Sequence, residues 1–228
     1  KHLLISVSLS LVFTLFLLPG FNCDWRLAQQ FIHQTKAGIT DPIFHKDLGF
    51  YLFLYPLLQN SAQLALALLV LTLLTVTALY LIAQTYWGQE KRLFFWPRAR
   101  KHLTFLGITF LVVKAFDYYL SRFNLLFEEK ELLTGVDFTA RQVRVFGYNI
   151  LIVITLISAL LLLASIYRRQ YAKILYSGIG LWLLVSFLTG VVFPYVVETV
   201  FVRPNQFLVE EEYLQNHIDF TRLGYGLH

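Results

Sequence analysis

Residues 62–83, AQLALALLVLTLLTVTALYLIA, run for twenty-two residues without a charged side chain. Wound as a helix, such a run reaches about 33 Å, enough to cross a hydrocarbon core of about 30 Å. In that core every backbone N–H and C=O must be paired within the chain, which leaves only helices and closed barrels. Barrel strands alternate apolar and polar residues, and this run does not alternate. It predicts a membrane-spanning helix.

Four further stretches read the same way. Residues 3–20 carry no charge over eighteen residues, about 27 Å of helix. Residues 103–127 are apolar apart from Lys114, Asp117 and Arg122, and 145–167 and 174–197 complete the set. Composition agrees: 57% of the chain is hydrophobic and 14% charged, against about 45–50% and about 25% in soluble domains. That hydrophobicity excludes a disordered chain. Cys23 is the only cysteine, which excludes an internal disulfide scaffold. The chain has no methionine, so it is read as a fragment. The expected fold class is therefore all-α: a helical integral membrane bundle of five transmembrane helices over 1–202.

Charge placement sets the expected orientation. The formal net charge of +5 is concentrated beside apolar runs. Residues 84–102 hold Lys91, Arg92, Arg98, Arg100 and Lys101, and 168–173 hold Arg168, Arg169 and Lys173. The acids Glu128, Glu129, Glu131, Asp137, Glu198, Glu210, Glu211, Glu212 and Asp219 lie on the opposite side of a five-span chain. The positive-inside rule then puts the N-terminus in the cytoplasm and the C-terminus outside. Trp87 and Trp96, and Tyr118 with Tyr119, are placed as interfacial anchors.

Two outer segments read as more than loops. In 25–34, Trp25, Ala28, Phe31 and Ile32 share a helical face, which predicts a short helix on the outer interface. Residues 49–60 are apolar and lead into the second span; Pro56 predicts a bend between an interfacial or re-entrant helix and that span. The tail 203–228 is expected to begin an extracytoplasmic region, with a helix opening near Glu210–Glu212.

Three stretches carry more than composition: DPIFHKDLGFYLFLYPLL at 41–58, FTAR at 138–141, and RPNQFLVEEEYLQNHIDFTRLGYGL at 203–227. In order and spacing around the spans the chain resembles the bacterial multi-pass membrane proteins of uncharacterised protein family 182, from about Trp25 to its last residues. The resemblance implies a seven-span protein of the bacterial inner membrane with a large extracytoplasmic domain, this chain covering spans three to seven. It implies no activity, cofactor or catalytic residue.

Among candidate chemistries, Lys114 and Asp117 stand out. Spaced i,i+3, they share a face of the third span, with Lys114 about 17 Å along from Leu103. A lone charge at that depth costs about 2.5–3.5 kcal/mol, so pairing is expected. The pair is either a proton or ion relay in a polar cavity, or a neutralised pair that fixes packing; packing is the more frequent case. His33, Asp41, His45 and Asp47 lack metal-ligand spacing and read as a solvated loop, so no metal and no cofactor is expected. Cys23 follows Asn22 rather than a small residue, which argues against a lipidated signal. Gly178, Gly180 and Gly190 in the fifth span read as helix-packing positions. Phe94, Phe95 and Trp96 among the cations of 84–102 read as an anchor to anionic lipids rather than a nucleic-acid surface. No nucleophile–base grouping, phosphate loop or dinucleotide fingerprint supports an enzyme. The function expected is anchoring and orienting an outer domain, with docking of envelope partners. The alternative is a carrier or channel for a lipid or envelope precursor that uses Lys114 and Asp117.

Overall fold

The computed structural model describes residues 25–86, 97–127, 143–166, 171–197, 199–200 and, in the tail, 204, 211, 215, 218–219, 221–222 and 224–226. The span expected at 3–20, Cys23, and the aromatic centre of the basic loop lie outside the described residues.

The elements are helical. Helix α1 is Trp25–Ile32. A π turn at Phe50–Leu54 leads into α2, Tyr55–Tyr86. Helix α3 is Pro97–Asn124, closing in a 3-10 turn at Leu125–Phe127, and α4 is Val145–Ser165. Helix α5, Tyr171–Phe187, passes through a π turn at Leu188–Val192 into α6, Phe193–Val197. Described tail residues Glu211, Gln215, Ile218 and Asp219 are helical, with the Gln215 amide donating to Asp219 one turn on. Among the described residues, four stretches are long and apolar enough to cross a membrane: Phe50–Ile82, Ala99–Phe127, Val145–Ser165 and Tyr176–Val197.

The interruption expected at Pro56 does not break the helical winding. Instead the preceding π turn lets the Tyr55 N–H reach back five residues to the Phe50 carbonyl. The wider turn relieves the clash that a proline ring makes with the carbonyl four residues earlier. The same device recurs before Pro194, where the Phe193 N–H bonds the Leu188 carbonyl. Each π turn ends two residues before its proline, with one aromatic residue, Tyr55 or Phe193, between them.

Hydroxyl side chains in the apolar helices largely satisfy themselves. Thr72, Thr75, Thr104, Thr109 and Thr189 each donate to the carbonyl four residues back, at 2.7–3.0 Å. Such back-bonding makes a threonine tolerable where no water can solvate it.

By contact the chain divides into two compact units. One takes the described residues up to Asp41 together with His45–Leu64; the other takes Pro42–Phe44 and the residues from Ala65 on. In the second unit α3 packs on α4 and α4 on α5. The buried face of α4 is Gly147, Leu151, Thr155, Ser158, Ala159, Leu162 and Ser165, mostly small residues, while Val153, Leu156, Leu160 and Leu163 are exposed. Between apolar helices in lipid, close backbone approach and hydrogen bonds replace the hydrophobic effect as the source of packing energy. Gly107 shows how close: a Cβ there would lie 3.2 Å from Leu162 Cδ2.

Candidate functional site

Among the described residues, the polar side chains singled out in the sequence fall in two places, one inside each unit. The first lies in the bundle. Lys114 Nζ is 2.7 Å from Asp117 Oδ2, and the lysine also sits 4.7 Å over the ring of Tyr118. Both charged side chains are partly covered, 27% and 14% exposed. The Tyr118 hydroxyl is 3.4 Å from Ser186 Oγ on α5. The Asp117 carbonyl in turn accepts from Ser121 Oγ.

Hydrogen bonds tie the three helices at several levels. Arg100 Nη2 donates to the Ile166 carbonyl at the end of α4, a cation at a helix C-terminus. At the other end of α3, Arg122 Nη1 donates to Asn149 Oδ1 at 2.8 Å and its guanidinium covers the Tyr119 ring at 4.3 Å. Ser158 Oγ donates to the Gly178 carbonyl, joining α4 to α5. These contacts set α3, α4 and α5 antiparallel, one to the next. In that register Thr155 stands opposite Lys114, and Trp182 lies within about one turn of it. Thr155 Oγ1 and Trp182 Nε1 are buried with no hydrogen-bond partner among the described residues.

The glycines of the fifth span divide. Gly178 is a contact point, where a Cβ would meet Leu162 Cδ1 at 3.3 Å, whereas Gly180 and Gly190 have open space around them. Sequence reasoning missed the partners on α4. Ser158 bonds Gly178, and a Cβ on Gly147 would come 3.5 Å from the Thr189 carbonyl. Their signal was a recurrence of small residues at helical spacing in an otherwise leucine-rich run.

The second place is the segment before α2. Here Asp47 accepts three backbone N–H groups, from Ala37 and Gly38 at 3.0 Å and from Gly49 at 2.7 Å. Those donors, Ala37 first and then Gly49, hold its carboxyl below the usual 3.8; burial opposes them, and Gly38 and Lys36 add to them. Asp41 is buried at 5% exposure and accepts from the Tyr51 hydroxyl at 3.3 Å. Between them the chain reverses: Asp41 N–H donates to the Lys46 carbonyl, Leu48 N–H to the Ile39 carbonyl, and His45 adopts φ +54°. Both acids thus serve the loop's own backbone and Tyr51, while His33 and His45 are exposed. No three His, Cys, Asp or Glu side chains among the described residues converge to hold a metal ion.

The model of Uncharacterised protein family (UPF0182) matches residues 1–228. The chain belongs to UPF0182. Its UPF0182 relatives include a protein of Pelotomaculum thermopropionicum, 34% identical over 204 residues, which covers 90% of this chain and 22% of the relative. A relative from Nostoc sp. is 32% identical over 227 residues, 98% of this chain and 22% of its own length. A third, from Thermobifida fusca, is 34% identical over 221 residues, covering 95% and 21%. The chain spans about a fifth of the length of the UPF0182 proteins it matches. No solved structure matches it.

Proposed function

We propose that this part of a UPF0182 protein is a multi-pass anchor of the bacterial inner membrane that holds and orients a large extracytoplasmic domain and offers a docking frame to envelope partners. Its single strongest support is the closure of the Lys114–Asp117 pair at 2.7 Å on one helix, under cover of Tyr118. A pair neutralised within its own turn removes the cost of a charge at that depth, which suits a structural rather than a transport role. The cross-ties from Arg100, Tyr118, Arg122 and Ser158 support a bundle that keeps one shape. In this reading the basic stretches 84–102 and 168–173 face the cytoplasm, the first resting on anionic inner-leaflet lipids, and the tail from 203 leads outward.

The test is the double variant Lys114→Ala with Asp117→Ala in the full-length protein, at matched expression. Thermal stability close to that of the unsubstituted protein and an unchanged set of co-purifying proteins are expected. Loss of the co-purifying set from a stably folded double variant would overturn the anchor reading.

One observation favours a second reading, a carrier for a lipid or envelope precursor. Thr155 Oγ1 and Trp182 Nε1 are buried without hydrogen-bond partners among the described residues, near the level of an ion pair that keeps some exposure. Buried orphans each cost about 1–3 kcal/mol, a cost that a polar guest would relieve. Under this reading Asp117→Asn alone abolishes transport while the protein stays folded; unchanged flux would refute it.

A further inference from the structure

We propose that Thr155 and Trp182 hold a single internal water molecule within the bundle of α3, α4 and α5. Thr155 departs from the pattern of the other threonines. Thr72, Thr75, Thr104, Thr109 and Thr189 each donate to the carbonyl four residues back. Thr155 Oγ1 makes no such bond to Leu151, although the residue is fully buried at 0% exposure. Its hydroxyl proton is unspent, and the Leu151 carbonyl keeps the lone pair that back-bonding would take. Trp182 is the second member. Its indole packs against the cluster of Leu111, Ala159 and Leu162 and meets the Phe110 ring edge-on at 6.2 Å. The ring thus sits where the three helices meet, yet Nε1 is buried with no hydrogen-bond partner among the described residues. The two side chains share a level. Ser158 bonds the Gly178 carbonyl; Thr155 is one turn back from Ser158 on α4, and Trp182 one turn on from Gly178 on the antiparallel α5.

Chemistry and room select the occupant. An indole N–H only donates, so the occupant must accept. Lys114 stands opposite Thr155 but is neutralised by Asp117 at 2.7 Å, so no net charge draws an anion. The face around Thr155 is closed in: Leu151, Ser158, Ala159 and Leu162 are each no more than 5% exposed. Water suits both conditions. It accepts from Trp182 Nε1–H and donates to Thr155 Oγ1 or to the Leu151 carbonyl, which supplies the few polar partners a buried water needs. Either atom left unpaired in an apolar interior is costly, and one small molecule pairs both. The bridge ties α4 to α5 one turn from the Ser158–Gly178 bond and fixes the indole between the helices. This goes beyond the anchor reading and does not rest on it. It also gives these two atoms an occupant other than a transported guest, so the carrier reading keeps its own test, flux in Asp117→Asn.

The test is a cryo-EM map of the full-length protein in nanodiscs, sharp enough to show ordered water, together with the unfolding of Thr155→Val and Thr155→Ser. One isolated peak is expected within about 3.2 Å of both Thr155 Oγ1 and Trp182 Nε1. Valine keeps the shape of threonine and removes the hydroxyl, so it should raise the unfolding equilibrium constant by about threefold to tenfold. Serine keeps the hydroxyl and should retain the peak. The sign of the valine effect is decisive, because a hydroxyl that truly lacked a partner would be better replaced by a methyl group. The map requires no substitution, so it decides the matter should the valine variant fail to fold. No peak, a direct bond between Nε1 and Oγ1, or density that continues into a lipid or another guest would overturn the proposal. A valine variant as stable as the unsubstituted protein, or more stable, would overturn it too.

Discussion

Lys114 Nζ and Asp117 Oδ2 lie 2.7 Å apart, one turn from each other on the same helix. Because both partners belong to α3, the pair neutralises itself without help from a neighbouring helix. That makes it separable by mutation from the packing of the bundle. Asp117→Ala alone should strand the Lys114 cation and destabilise the bundle by about 2.5–3.5 kcal/mol. Adding Lys114→Ala should restore most of the loss. Unfolding of the single and double variants in nanodiscs checks this; a double variant as unstable as the two singles combined would show that the charges are not coupled.

Ser158 and Gly178 test how α4 and α5 are held together. Ser158→Ala removes one interhelical hydrogen bond and should cost only about 0.6 kcal/mol, the average found between membrane helices. Gly178→Val should cost more, about 1–3 kcal/mol, because a Cβ already meets Leu162 Cδ1 at 3.3 Å. Thermal unfolding of both variants under one condition gives the order.

Gly49→Ala should be severe for its size. A Cβ there would collide with the Thr35 carbonyl and come within 2.8 Å of Asp47 Oδ1, so the loop closure itself must shift. A loss of about 1–3 kcal/mol is expected for overpacking of this kind. Gly38→Ala offers a contrast: its φ of +73° strains an added side chain although nothing lies within 4 Å. Hydrogen exchange over 35–49 should rise for Gly49→Ala across the whole loop, and for Gly38→Ala near residue 38 only.

Asp47 gives the loop a pH dependence with a definite sign. Its folded carboxyl lies below the usual 3.8, held there by the N–H groups of Ala37, Gly49 and Gly38. A depressed folded value means the ionised form stabilises the loop above the unfolded value, and that stabilisation is lost as pH falls through the folded value. Exchange protection of the Ala37, Gly38 and Gly49 amides should hold from neutral pH down to pH 4, once intrinsic rates are corrected, and erode below it. Asp47→Asn should expose these amides about tenfold or more at neutral pH and flatten the profile.

The four long apolar helices among the described residues were legible in the sequence because a nearly charge-free run of helical length in a chain this apolar has few alternatives. Which face of each span packs was less legible. Helix α4 is apolar all round, so periodicity of hydrophobicity is silent, and the small residues Gly147, Ser158, Ala159 and Ser165 carry the signal instead. The fifth-span glycines were visible, yet only Gly178 has a neighbour in contact. Lys114 and Asp117 were legible as a pair because i,i+3 spacing on a helix dictates it. Asp47 was not: its partners Ala37 and Gly38 lie ten and nine residues back, and only the fold brings them there. Pro56 signalled a local departure from regular α-helix, but not its form: the chain widens one turn at Phe50–Leu54 and the helical winding continues.

The most direct test of the anchor reading is native mass spectrometry of the full-length protein released with its surrounding lipids, beside its Asp117→Asn variant. The anchor predicts no stoichiometric guest that depends on Asp117, and the same retained protein partners in both. A lipid or envelope precursor bound one to one, and lost with Asp117→Asn in a folded protein, would contradict it.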